Sequence, residues 1–199
     1  MTQVDYKGIK VNIPDSWDEI TLKQYLDFSK IAETIKEGDD SIHNTLKTFD
    51  LIQILTNTSD EDFDRLEITD TNDLSLRLSH MLNNANFTSE ASNHFTIDGV
   101  DYVAKNPNEI DNGEYISLNM LQEQYKNDTY KLFPRILSVL IRPGKMEYDK
   151  ERKEEVWTPE PFNRRDILNL ELRSDIFLNK AKAKDVIPVL TFFLNTKKE

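Results

Sequence analysis

The sequence predicts an α+β fold, mostly helical, as a single unit over residues 1–199 with a small antiparallel sheet built from two β-hairpins. Three observations point there. Two stretches, 4–13 and 95–103, alternate apolar and polar residues around a two-residue turn. Most remaining apolar residues recur at helical spacing. The C-terminal stretch with Val186, Ile187, Leu190, Phe193 and Leu194 is too apolar to stand alone, so Glu160-Pro161 does not end a domain.

The first hairpin places Ile9, Val11 and Ile13 on one face, with Lys7-Gly8 as its turn. Pro14 breaks the chain before a helix with a full set of start signals. Thr21 is the N-cap, Gln24 its capping-box partner, and Ile20 and Tyr25 the hydrophobic staple across the cap. That helix runs from Leu22 to about Ile35, and Gly38-Asp39-Asp40 stops it. A second helix covers Ser41 to Leu55, capped by Asp40 or Ser41, with Ile42, Leu46, Phe49, Ile52 and Leu55 inward. A short acidic helix follows from Asp60 to Leu66 under a Ser59 cap. Its first turn holds Asp60, Glu61 and Asp62, where the helix dipole favours them. A further helix spans Asp73 to Asn84, and the cluster Asp70 to Asp73 reads as capping.

Asn83 to Asn93 is a polar loop leading into the second hairpin. There Asp98-Gly99 makes a tight turn because both residues tolerate positive φ. The two hairpins are expected to pair into one sheet. Asn106-Pro107 ends the second. Helices are expected at Gly113 to Tyr125 and at Pro134 to Ile141, with Pro134 in the first turn and Pro143-Gly144 as terminator. Residues 145–162 read as an exposed excursion with a short strand over Glu154 to Thr158. Helices return at Asn163 to Asn169 and at Ala183 to Leu194, the last docking on 113–125 and 134–141.

A chain of 199 residues can bury a sizeable core. Its 38% hydrophobic and 31% charged residues fit a folded protein rather than a disordered one. Without cysteine, no disulfide, cysteine-zinc site or catalytic thiol can form. No apolar run reaches the ~18 residues of a membrane span, and no signal peptide precedes Val4, so neither a membrane nor a secreted protein is expected. Charge is uneven: residues 1–125 hold 9 basic and 24 acidic side chains, residues 126–199 hold 16 and 12. A bipolar subunit of that kind favours head-to-tail contacts, which close into rings when the rotation permits. Nucleic-acid contact is disfavoured, since the basic residues are mixed with acidic ones and no aromatic-interleaved basic stripe occurs.

Little in the sequence points to catalysis, and the expectation is a non-enzyme without cofactor or metal. His43, His80 and His94 lie far apart and lack helical metal-ligand spacing. Asp60-Glu61-Asp62 with Asp64 fails as a calcium loop. It has no glycine at its sixth position, and Thr71 stands where the twelfth-position glutamate belongs. No phosphate-binding glycine loop or nucleophile elbow is present. Trp17 sits at a helix entry and is expected to cover the core. Trp157 lies in the charged, proline-bounded excursion with Tyr148, Phe162, Arg152 and Lys153, and this group is the expected partner contact.

Four segments carry a resemblance: Trp17 to Tyr25 (WDEITLKQY), Asn112 to Leu118 (NGEYISL), Leu132 to Pro143 (LFPRILSVLIRP) followed by Tyr148-Asp149, and Val189 to Leu194 (VLTFFL). In this order the chain resembles small neck, connector and tail-assembly proteins of tailed bacteriophages, of the crAss-like type. Residues 150–165 have no counterpart in that pattern. The resemblance implies a virion protein, made in the host cytoplasm, that forms a ring with copies of itself and meets the portal or other neck and tail proteins. Acidic surface from 1–125 would then face basic surface from 126–199 of the next copy. The alternative it implies is a tail-assembly chaperone that leaves before the particle matures.

Overall fold

The computed structural model describes residues 1–35, 41–82, 92–150 and 153–195, with the side chains of all of these except 41–43, 107, 192 and 195. The fold is α+β and predominantly helical. Where one unit was expected, the chain divides into two compact units. The first lies within Met1–Glu90 and takes back Lys182–Lys184. The second lies within Ala91–Ala181 and Asp185–Glu199.

The first unit opens on the expected hairpin, β1 (Thr2–Tyr6) against β2 (Ile9–Ile13). Its turn holds Lys7 at φ 54° and Gly8 at φ 93°, the left-handed pair that a tight hairpin needs. Helix α1 (Leu22–Ala32) starts under the capping box, with Thr21 and Gln24 bonded reciprocally. Gln24 does more than the motif requires. Its Nε2 also donates to the carbonyls of Ile54 (2.9 Å) and Leu55 (3.1 Å), in the last turn of α2 (Ser41–Thr56). One side chain thus satisfies orphan groups at two helix ends. Helix α3 (Asp60–Asp64) has its Ser59 cap, and α4 (Ile68–Leu82) begins a turn earlier than expected. In place of a cap, Asp73 binds Tyr6 and Arg77, whereas Asp70 does accept the Glu67 amide.

The core of this unit joins Val11, Ile13, Ile20, Ile52, Leu55, Leu74, Leu78 and Met81, with Trp17 edge-on to Phe28 at 4.8 Å. Leu46, expected inward, is exposed. The chain returns late to this unit: Ala183 donates to the Ile20 carbonyl at 2.8 Å, beside the α1 cap. The expected helix stop at 38–40, the Asp40 cap, the Ile42 side chain and the loop over 83–91 lie outside the described residues.

The second unit holds a four-stranded antiparallel sheet in the order β3-β4-β5-β6, so the two hairpins do not pair with each other. Strands β3 (His94–Ile97) and β4 (Val100–Ala104) turn at Asp98-Gly99, both at positive φ. Helices α5 (Asn112–Tyr125) and α6 (Thr129–Leu140) intervene before β5 (Ile141–Asp149) and β6 (Glu154–Pro159). Pro134 is not in the first turn of α6. Asp128 caps the helix well before it, and Pro134 lies buried inside, where it supplies no backbone N–H to the helix. The buried stripe of Leu132, Ile136, Leu137, Val139 and Leu140 holds the helix together across that defect.

Pro143-Gly144 does not end a helix either. It marks where β5 changes partner, pairing with β4 through Ile141 to Pro143 and with β6 from Gly144 on. Proline suits a position where the ladder is interrupted. Glycine is required next to it: a Cβ on Gly144 would stand 2.5 Å from Val103 Cγ2 and 2.6 Å from the Thr158 carbonyl oxygen. The helix expected at 163–169 is instead α7 (Ile167–Lys180), capped by Asp166. Helices α5 and α7 both pack on α6, and the terminal helix α8 (Ala183–Asn195) buries Val186, Leu190 and Phe193.

Candidate functional site

All the described sequence-predicted contact residues fall in the second unit. The 145–162 excursion is the β5–β6 hairpin, with Met146 opposite Trp157 and Tyr148 opposite Glu155. Trp157 is half-buried and already has an internal partner. The His94 ring stacks on it at 3.6 Å, nearly parallel at 9°. His94 Nε2 lies 3.2 Å from Asp101 Oδ1, which also accepts the Thr96 hydroxyl at 2.7 Å. Those two bonds hold the Asp101 carboxyl below its usual range. Tyr148 is exposed, and Lys153 is exposed in the hairpin turn at φ 58°. Arg152 lies outside the described residues.

Phe162 turns inward. The Arg142 guanidinium sits 5.6 Å above its ring. Arg142 and Glu114 form a buried ion pair at 2.6 Å, with side chains 3% and 0% exposed. Arg142 also donates to the Val139 and Glu160 carbonyls, each at 2.6 Å. Glu114 accepts the Asp111 amide at 2.9 Å as the far half of a capping box, and Lys105 approaches at 3.9 Å. Such a pair repays its desolvation only when every lone pair and proton is used. Here the partners converge from α5, β5 and the chain after β6.

Burial of that charge leaves α5 inverted. Glu114 and Leu118 face inward, and Tyr115, Ile116 and Met120 face out, Met120 at 64% exposure. Helix α7 is inverted in the same way. Arg173 points in, donating to the Ser138 carbonyl at 3.2 and 3.3 Å, and burial pulls its guanidinium below the usual range. Ser174 and Phe177 are buried beside it, while Ile167, Leu168 and Leu172 are exposed, Leu168 at 72%. Apolar side chains held outward in this number on adjacent turns are the mark of an interaction surface. The sequence reading did not find them, although a helical wheel over 112–125 would have separated the two faces of α5.

The remaining candidates are placed as follows. Trp17 is buried in the first unit's core, as expected. His80 meets the Asp15 carbonyl at 3.2 Å, and the His43 side chain lies outside the described residues. Among the described residues no group of three or more His, Asp or Glu could hold a metal ion, and no helix is long and apolar enough to cross a membrane. The charge boundary near residue 125 falls inside the second unit, between α5 and α6, and does not separate the two units. No family model, curated protein or solved structure matches this chain.

Proposed function

We propose that this chain is a structural protein of a tailed bacteriophage, a ring or connector subunit of the head–tail neck or tail that works by protein–protein assembly. The observation that carries the reading is the pair of outward apolar faces on α5 and α7, with Met146 and Tyr148 also exposed on β5. Side chains of this size at these exposures are ordinarily covered by a partner. The resemblance of the segments around Trp17, Tyr115, Pro134 and Phe193 to neck and tail proteins supplies the setting. Trp157 serves the hairpin first, through His94, and leaves Tyr148 and Lys153 as the outward members of the predicted contact.

Quantitative mass spectrometry of purified particles beside infected-cell lysate tests the role. The expected result is stoichiometric presence in particles, at a multiple that matches the neck or tail symmetry. The same apolar faces also suit a tail-assembly chaperone, which must offer apolar surface in the free state. Abundance in lysate with absence from particles would establish that role and remove the virion reading.

A further inference from the structure

Helices α5 and α7 present one pattern twice. On α5 it runs Tyr115-Ile116, then Met120, then Glu123. On α7 it runs Ile167-Leu168, then Leu172, then Asp175. In both, the apolar residues stand at i, i+1 and i+5 and an acid at i+8, so each helix offers a two-turn apolar strip. The ends of the strips differ in charge. Helix α5 carries acidic side chains and no lysine or arginine, and Glu123 at its C-terminal end is exposed. Helix α7 is preceded by Arg164 and Arg165, both exposed, whereas Glu171 is held by Arg135 at 2.8 Å and Asp166 caps the helix. Glu123, Arg164 and Arg165 form no ion pair with another described residue.

We infer that the α5 strip of one copy docks antiparallel on the α7 strip of a second copy of this chain. Antiparallel packing covers the six apolar side chains against one another. It also brings Glu123 of one copy to Arg164 and Arg165 of the next and opposes the two helix dipoles. Parallel packing would set Glu123 beside Asp175 instead. Because the contact joins two different surfaces of the subunit, it is heterologous and can propagate to a closed ring. The inference rests on the self-assembly reading above and names the surfaces it uses.

The test uses the full chain in two variants, Ile116→Glu with Met120→Glu on α5, and Leu168→Glu with Leu172→Glu on α7. All these positions are exposed, and circular dichroism checks that each variant folds. Mass is measured by analytical ultracentrifugation and native mass spectrometry. The wild type is expected to assemble, each variant alone to remain monomeric, and an equal mixture to form a one-to-one dimer, since one intact strip of each kind survives. Glu123→Arg is expected to weaken wild-type assembly about three- to tenfold, and Arg164→Glu with Arg165→Glu in the same chain to restore it.

A wild-type chain that stays monomeric to its solubility limit overturns the inference, as do variants that assemble alone or a mixture that stays monomeric. A wild type that stops at a dimer, with complementation intact, upholds the docking and removes the ring. Presence or absence in particles decides the virion role independently of either result.

Discussion

Both units bury an apolar core, but among the described residues only the second also buries charged side chains. In the first, α4 puts Leu74, Leu78 and Met81 inside, and its polar contacts sit at the margin, where Tyr6, Asp73 and Arg77 meet. In the second, α5 and α7 put Glu114 and Arg173 inside and their larger apolar side chains outside. Nine of the fourteen exposed large hydrophobics among the described residues belong to the second unit. The first unit is an ordinary amphipathic packing. The second has an apolar core too, but on α5 and α7 it sets charged side chains inward and large apolar ones outward.

That contrast breaks most sharply at the buried pair. Arg142→Met strips the buried Glu114 carboxylate of its guanidinium partner, with only Lys105 left at 3.9 Å, and is expected to cost about 3–5 kcal/mol. Urea unfolding followed by far-ultraviolet circular dichroism measures it. Adding Glu114→Gln to Arg142→Met removes the stranded charge and is expected to recover more than half the loss. If the double variant is no better than the single one, the pair is not what organises α5 against β5.

In the first unit the corresponding polar device is Gln24, and its removal costs less because it caps helix ends rather than neutralising a buried charge. Gln24→Glu keeps the acceptor that the Thr21 amide needs but loses both donors to the Ile54 and Leu55 carbonyls. The expected loss is about 1–2 kcal/mol by the same unfolding measurement. Gln24→Ala, which also opens the capping box, is expected to lose more. Equal losses would show that Gln24's half of the capping box contributes nothing beyond its bonds to α2.

How far the sequence foretold this molecule follows the same divide. Where local rules and burial agree, the reading succeeds: the Lys7-Gly8 and Asp98-Gly99 turns, the Thr21 box, the Ser59 cap and the α2 and α8 helices are all found where expected. It fails where tertiary pairing overrides local preference. Pro134 looks like a helix start and lies inside α6, carried by the apolar stripe around it. Pro143-Gly144 looks like a stop and is a change of strand partner, which depends on β4 and β6 and has no local signature. Most of α7 was missed because its inward face holds Arg173 and Ser174 while Ile167, Leu168 and Leu172 face water, so the apolar period has the wrong phase. Of the contact group, Tyr148 and Lys153 are exposed as a contact requires, and Trp157 and Phe162 have internal partners that no sequence pattern reveals.

A smaller effect sharpens the picture of the first unit's margin. The Tyr6 hydroxyl donates to Asp73 at 2.6 Å. Burial, and then that bond, push the phenol up to about 12 from its usual 10.0. The folded state therefore favours neutral Tyr6. The stability gained is complete below about pH 10 and is lost as pH rises towards 12. Asp73 is held below its usual range, first by the Tyr6 hydroxyl and then by Arg77, so its share is lost at the acid end. Tyr6→Phe is expected to lower stability by about 1 kcal/mol at neutral pH. It should also flatten the alkaline decline of stability above pH 10. An unchanged decline would assign that titration to other groups.

The least effect on folding is expected where the effect on assembly is largest. Leu168 and Leu172 contribute little to the second unit's core, since most of each side chain is already in water. Replacing both with glutamate should leave folding stability within about 0.5 kcal/mol of the wild type, because exposed substitutions away from caps and pairs are nearly neutral. A core residue of the first unit responds oppositely: Leu78→Ala, at a fully buried site, is expected to cost about 2–5 kcal/mol and to leave association untouched. Measuring stability and mass on the same two variants separates the roles. A large stability loss from Leu168→Glu with Leu172→Glu would mean that the outward face of α7 is part of the fold. The inversion of α5 and α7 would then follow from packing alone, with no partner needed to account for it.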